Sequence, residues 1–211
     1  DKGLTFAPRC ELIDLNKNNS LWELKIKEKE VFSLEAKLVI NAAGNNAISI
    51  SKKFFPNNNY PIAYPVKGSY LKYLGKSMIN HIIYPALVPG KILPRVDATP
   101  DMNNSIKFGP SVDSANSFED YDLPKDLIDR FFPEIIKYIP SIKKEKLALD
   151  QSGIRPKIKK NNQLFDDFVF NWSSKEIDWL DLWGIDSPGL TSSLAIGEYV
   201  YEMINSKGIK K

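Results

Sequence analysis

Two short apolar runs set the tightest limit on what this chain can fold into. "AKLVINAAGNNA" holds the continuous run Leu38–Ile40, stopped by small residues and Gly44. "DWLDLWGI" shows a second two-faced apolar run near the end of the chain. A strand that is apolar on consecutive rather than alternate residues is buried on both faces, and parallel sheets covered by helices hold such strands. Taken alone, the first run also reads as an ordinary core strand followed by a turn glycine. A helix over Asn46–Phe55 follows it, and Pro56 ends that helix.

The rest of the chain is strand-rich. Arg9–Leu15 and Leu21–Lys27 alternate apolar and polar residues around the turn "NKNN", with a short third strand at Val31–Leu34. Residues 56–110 are rich in proline and strand-like, which implies edge strands, bulges and loops. "ATPDMNNSIKFGP" reads as two strands joined by a turn. The best internal helix covers residues 124–139, where Leu127, Ile128, Phe131, Phe132, Ile135, Ile136 and Ile139 keep helical spacing. Pro133 should kink it or start a second helix. Strands follow at 147–154 and 168–172, and a closing helix at Pro188–Asn205. This order predicts an α/β (α+β) fold. An α/β domain is interrupted by an antiparallel domain, with residues 1–55 and 151–211 flanking residues 56–150.

Composition excludes several classes. The 29 basic and 26 acidic residues are interspersed along 211 residues with a net charge of +3, so nucleic acid is not the expected partner. Cys10 and His81 are the only cysteine and histidine. An intrachain disulfide is excluded, and a Cys/His zinc site lacks ligands. No apolar run approaches the ~18 residues of a membrane span, and no signal peptide opens the chain. The expected compartment is the cytoplasm, soluble and reducing. The chain opens on strand-like sequence without a methionine, which reads as a start within something longer.

Taken together, "LVINAAGNNA", "PVKGSY", "HIIYP", "TPDMNNSIKFGP", "QSGIRPK" and "GIDSPGLTSSLAIGE" resemble the FAD-dependent D-amino-acid oxidase and glycine oxidase superfamily. The nearest resemblance is to its L-2-hydroxyglutarate dehydrogenase branch. It runs from Leu4 to Ile204. Such proteins hold the FAD pyrophosphate on a G-x-G-x-x-G turn between a strand and a helix. No such motif is present here. The resemblance therefore implies the C-terminal portion of an FAD enzyme that oxidises a 2-hydroxy acid of the L-2-hydroxyglutarate kind, or an amino acid, by hydride transfer to flavin. It implies a partial Rossmann-like FAD-binding domain interrupted by a substrate domain. Alone the chain is expected to be inactive, with its missing N-terminal half or a second copy as partner. The alternative is a non-catalytic split-gene or truncated product that folds and binds a partner.

The candidate site residues follow from the residues and then from the resemblance. Ser187 suits a helix N-cap and Pro188 the first helical position. Leu190, Leu194, Val200, Tyr201 and Ile204 give that helix an apolar face. On the residues alone this is a capped, packed helix. The resemblance places Ile185, Ser187, Pro188, Gly189, Leu190 and Thr191 against the flavin ring, with Ala43, Gly44, Gly153 and Ile154 as further cofactor contacts. Arg155, with Gly153 allowing tight backbone and Pro156 fixing the chain after it, is a permanently charged fork for a carboxylate, or a surface arginine in an ion pair. Tyr70 and Tyr84 are potential donors to a substrate carboxylate, or half-buried tyrosines with satisfied hydroxyls. His81 is the one side chain that titrates near neutrality, and it also reads as structural. Lys67 is a further candidate for anion contact. Chains of the resembled branch carry a histidine just before "AT" where this one has Asp97, which leaves the proton acceptor unassigned.

Overall fold

The computed structural model describes residues 3–86, 95–103, 105–175 and 178–208. In chain order its elements are β1 (Glu11–Asn18), β2 (Leu21–Lys27), β3 (Val31–Ala36), β4 (Val39–Asn41), α1 (Ala47–Phe54), β5 (Ile62–Tyr73), β6 (Asp97–Pro100), β7 (Ile106–Gly109), β8 (Asp113–Ser114), α2 (Leu127–Ile135), β9 (Leu147–Lys160), β10 (Gln163–Phe165), β11 (Val169–Trp172), β12 (Trp179–Trp183) and α3 (Ser193–Ser206). They form two compact units, one of Asp1–Ile62 with Ile158–Lys211 and one of Ala63–Lys157. These divisions lie seven residues later than the expected boundaries at 55/56 and 150/151, because β5 and β9 are long strands that start or end near them.

In the first unit, β1, β2 and β3 form an antiparallel meander. A second sheet has the order β11-β12-β4, and β4 pairs with β12 in parallel, with Val39 opposite Trp179 and Asn41 opposite Asp181. The two-faced buried reading holds for β12 but not for β4, where Ile40 is 44% exposed and only Asn41 is buried. Trp179 packs with Leu15, Trp22 and Leu24, and with Phe54 and Phe55 at the end of α1. Leu180 and Leu182 pack on the other side against Val200 and Ile196 of α3. Every residue of β12 is buried, which explains the nearly continuous apolar sequence.

A buried carboxylate ties this sheet together. Asp181 is fully buried and accepts hydrogen bonds from Asn41 of β4, Ser51 of α1, Ser173 and Trp179. Four donors offset the cost of removing the charge from water. Tyr60 donates to the Ser51 and Phe55 carbonyls at 2.9 and 2.8 Å, so it closes the C-terminal turn of α1.

In the second unit, β9, β5, β7 and β6 are neighbours in that order, and β8 pairs with β5. One face carries the core. Leu71, Tyr73, Val96, Ala98, Ile106, Phe108 and Leu147 pack against Leu127, Phe131 and Ile135 of α2. An isolated bridge between Ile83 and Ala98 extends the sheet beyond β6.

Several expectations need correction. The closing helix begins at Ser193, five residues after Pro188. The Thr191 and Ser192 hydroxyls both donate to the Pro188 carbonyl, so residues 187–192 form turns. The buried stripe of α3 is consequently Ile196, Val200, Met203 and Ile204, while Leu190, Leu194 and Tyr201 are exposed. α2 is shorter than 124–139 and contains Pro133, with turns carrying the chain on to Ile139. β9 runs on to Lys160 and turns into β10, since Asn161 and Asn162 both take positive φ, as a two-residue hairpin turn requires. The strand expected from Arg9 begins at Glu11, since Arg9 itself has a φ of 62°. The segment "LVPGKILP" lies outside the described residues.

Candidate functional site

Strand alternation assigns the second unit's sheet two faces. Ser69, Leu71 and Tyr73 of β5 face the α2 side, so Gly68, Tyr70 and Lys72 face the other way. The same parity puts Lys107 and Gly109 of β7 and Asp97 of β6 on that open face. Arg95 joins them, because Val96 beside it is core. Ile83 packs on the core, so Tyr84 also turns to the open face.

Register brings these side chains into one transverse row. Asp97 pairs with Gly109, and the Leu71–Phe108 pair sets Tyr70 beside Gly109 from the opposite strand. Tyr84 follows the Ile83–Ala98 bridge and lies beside Asp97. Gly109, at a φ of +142°, interrupts the row: a Cβ there would stand 2.8 Å from both the Ser69 carbonyl and the Tyr70 ring. A glycine is thus needed both for the backbone and for the ring lying over it.

Arg155 reaches this face from β9. A Cβ at Gly68 would stand 2.9 Å from Arg155 Nη2, so the guanidinium lies directly over the glycine. Nη2 donates to the Ser111 carbonyl at 3.3 Å. Ser111 is itself fixed: its hydroxyl accepts from the Ser69 amide at 2.9 Å and donates to Asp113 at 2.6 Å. Arg130 of α2 grips Asp113 with both amino groups, at 2.7 and 3.2 Å. That grip holds the Asp113 carboxyl below its usual range.

Burial pushes the Tyr70 hydroxyl above its ordinary pKa. Arg155 and Lys107 pull it down, while Asp97 and Tyr84 push it further up. Tyr70 therefore stays protonated at neutral pH and serves as a donor. The phenol feels all four groups, as their common face requires.

The structure brings Arg155, Tyr70 and Tyr84 together on this face and leaves other candidates out. His81 shares the parity of Ile83, not of Tyr84, and is exposed. Lys67 has the parity of the core-side residues, is 6% exposed and is already paired with Asp120 at 2.8 Å. Its charge is answered inside the protein, so it is not the anion contact expected of it. A side chain at Gly153 would meet nothing within 4 Å, so that glycine is not required by crowding within the chain. Sequence reasoning missed Gly68, Gly109, Arg95 and Ser111. The signals were present: glycines inside strand patterns, and a charged pair flanking the apolar Val96.

In the first unit, β4 and β12 are parallel, so the segments after them leave the same carboxyl edge. Ala43 and Gly44 follow β4; Ile185, Ser187, Pro188, Gly189, Leu190 and Thr191 follow β12. That edge is where open α/β sheets take ligands. Gly44 needs its positive φ of 55°, and Gly189 cannot carry a side chain because a Cβ would sit 2.6 Å from the Asp186 carbonyl. Ala43 and Gly44 are exposed and small, and Leu190 is 90% exposed. Exposed small and apolar groups at one sheet edge fit a flat, partly apolar ring.

The model of the family described as FAD dependent oxidoreductase matches residues 1–203. The chain belongs to that family. Its cofactor is FAD. Among curated relatives of the family, the mitochondrial L-2-hydroxyglutarate dehydrogenase of Arabidopsis thaliana is 33% identical over 198 residues, covering 84% of this chain and 40% of that protein. The glycerol 3-phosphate dehydrogenase of Caloramator mitchellensis is 23% identical over 221 residues, covering 98% of this chain and 41% of that protein. The chain thus spans about 40% of the length of these relatives.

Two solved structures share the fold. Dithionite-reduced L-alpha-glycerophosphate oxidase from Mycoplasma pneumoniae, with FAD bound, superposes with a TM-score of 0.73 at 20% identity, over 93% of this chain and 50% of that one. An FAD dependent oxidoreductase from Pseudomonas aeruginosa gives 0.59 at 15% identity, over 96% and 53%. Among the described residues no helix is long and apolar enough to cross a membrane. No group of three or more His, Cys, Asp or Glu side chains among them could hold a metal.

Proposed function

We propose that these residues form the substrate face and part of the flavin-side wall of an FAD-dependent dehydrogenase acting on a 2-hydroxy acid of the L-2-hydroxyglutarate kind. The observation that carries this reading is Arg155, laid over Gly68 and held by Ser111, beside a protonated Tyr70. A guanidinium and a phenol side by side form a donor set for a carboxylate. The identity to an L-2-hydroxyglutarate dehydrogenase supports the substrate class.

In this reading Arg155 and Tyr70 pin the substrate carboxylate and so fix the orientation of the adjacent carbon. The missing Cβ of Gly109 lets the Tyr70 ring lie over that strand, beside the Asp97 position. Ser111, Asp113 and Arg130 keep Arg155 in place, so little ordering is needed when substrate arrives. In the first unit, Ala43, Gly44 and Ser187–Thr191 would line the flavin. FAD, when bound, accepts the hydride. Tight FAD binding needs a pyrophosphate cradle of the G-x-G-x-x-G kind, which these 211 residues do not contain. We therefore expect the isolated chain to be inactive and colourless.

A second reading, a polyol phosphate as substrate, is favoured by the match to a glycerol 3-phosphate dehydrogenase. Arg155→Ala in the complete FAD-loaded enzyme separates outcomes. The proposal expects weaker 2-hydroxy-acid binding by roughly a hundredfold, the loss of a charge-assisted pair. Unchanged affinity would remove the carboxylate assignment.

A further inference from the structure

The chain has four arginines, and two of them, Arg95 and Arg155, converge on the open face of one sheet. Arg130 is consumed by Asp113 and Asp126, and Arg9 lies in the other unit. Arg95 is held as deliberately as Arg155. Its guanidinium carbon lies 4.6 Å from the centre of the Tyr84 ring, and its Nε donates to Asp97 at 2.7 Å. Stacking and one carboxylate oxygen fix the plane of the guanidinium. The Nε bond uses one of five N–H donors, so the fork keeps donors for a second acceptor.

Charge on this face points the same way. Lys72 and Lys107 both reach Asp150, at 3.9 and 2.9 Å, so they share one carboxylate. Asp97 answers Arg95, while Arg155 donates to a neutral carbonyl. Among these groups cations outnumber carboxylates, four against two, which suits a ligand with two negative charges. The spacing suits one with its charges apart. The Arg155 guanidinium lies over β5, and the Arg95 backbone precedes β6, two strands or about 10 Å away, with its guanidinium held between Asp97 and Tyr84 at that edge. A five-carbon diacid separates its carboxyl carbons by about 5 Å. A charge-assisted contact at each end adds about 3 Å.

We propose that Arg95, braced by Tyr84 and Asp97, takes the distal carboxylate of a dicarboxylic substrate whose first carboxylate lies on Arg155. This deepens the 2-hydroxy-acid reading and rests on it. Arg95 then sets specificity for diacids over monoacids. Asp97 is a positioning residue for Arg95.

The test uses the 211-residue chain labelled with 15N-arginine, in which the four Nε–Hε cross-peaks are assigned by substitution. Glutarate, butyrate and glycerol 3-phosphate are the titrants. Glutarate is expected to move the Arg95 and Arg155 peaks along one binding curve, and butyrate to move Arg155 alone. Arg95→Gln should weaken glutarate about tenfold and leave butyrate within about twofold, the difference made by one hydrogen-bonded charge. If glutarate moves Arg155 but not Arg95, or Arg95→Gln weakens both acids equally, the distal site is overturned and the carboxylate reading of Arg155 stands. If no acid moves Arg155, both fall. Glycerol 3-phosphate binding as tightly as glutarate, on both arginines, would overturn the dicarboxylate assignment in favour of a phosphate ester.

Discussion

At the scale of single residues, the site depends on where a side chain is absent. Gly68→Ala would place a methyl 2.9 Å from Arg155 Nη2, so it should displace the guanidinium and weaken carboxylate binding. Gly153→Ala, two residues from Arg155 but in open space, should leave binding within about twofold and stability within about 0.5 kcal/mol. Isothermal titration with glutarate measures both, and equal behaviour of the two variants would show that Gly68 is not the floor of the site. Tyr60 tests the first unit. Burial, with the Asp181 charge adding to it, raises its hydroxyl from 10 to about 12. The unfolded phenol thus ionises first, so its contribution to stability is complete below pH 10 and is lost as pH rises towards 12. Tyr60→Phe should flatten that part of the stability–pH curve in urea melts, and a curve parallel to wild type contradicts it. Arg155, Tyr70 and Tyr84 were singled out in the sequence through the family resemblance, and their common face emerges only with the strand register. Lys67 was misread, since nothing in "PVKGS" announces a partner 53 residues away. Gly68 and Gly109 stayed silent because their role exists only once Arg155 and Tyr70 are laid over them.

At the scale of elements, local patterns and long-range contacts divided the outcome. The hairpin of β6 and β7 and the meander of β1 to β3 lie in their own alternation and turns, and they were readable. The apolar runs of β4 and β12 were each readable as strands, but their parallel pairing across 140 residues, and the exposure of Ile40, were not. The start of α3 was not. Ser187 and Pro188 have the chemistry of a helix start, but the hydroxyls of Thr191 and Ser192 bond back to Pro188 and hold a turn instead. Ser187→Ala should accordingly change stability by less than about 0.5 kcal/mol, where a working N-cap would cost about 1 kcal/mol. Chemical denaturation reads the difference directly. The buried stripe of α3 also differs from the expected one, since Leu194 and Tyr201 face solvent.

At the scale of the whole molecule, those exposed groups have consequences. Among the described residues β4 stands at the end of the order β11-β12-β4, and Ile40, Leu190 and Leu194 are exposed near or beyond the ends of that sheet's strands. Open strand edges and apolar side chains favour association with another chain. Sedimentation of the 211-residue protein should therefore show dimers or larger species at high concentration, and a single monomeric boundary contradicts this. In the proposed function, Arg155 and its face hold the carboxylate of a 2-hydroxy acid. Anaerobic mixing of the complete FAD-loaded enzyme with L-2-hydroxyglutarate tests it most directly, read as loss of visible flavin absorbance. Bleaching by the hydroxy acid is expected, with Arg155→Ala needing roughly a hundredfold more acid for half-maximal bleaching. Bleaching by glycerol 3-phosphate alone, or an Arg155→Ala enzyme with unchanged half-saturation, would contradict it.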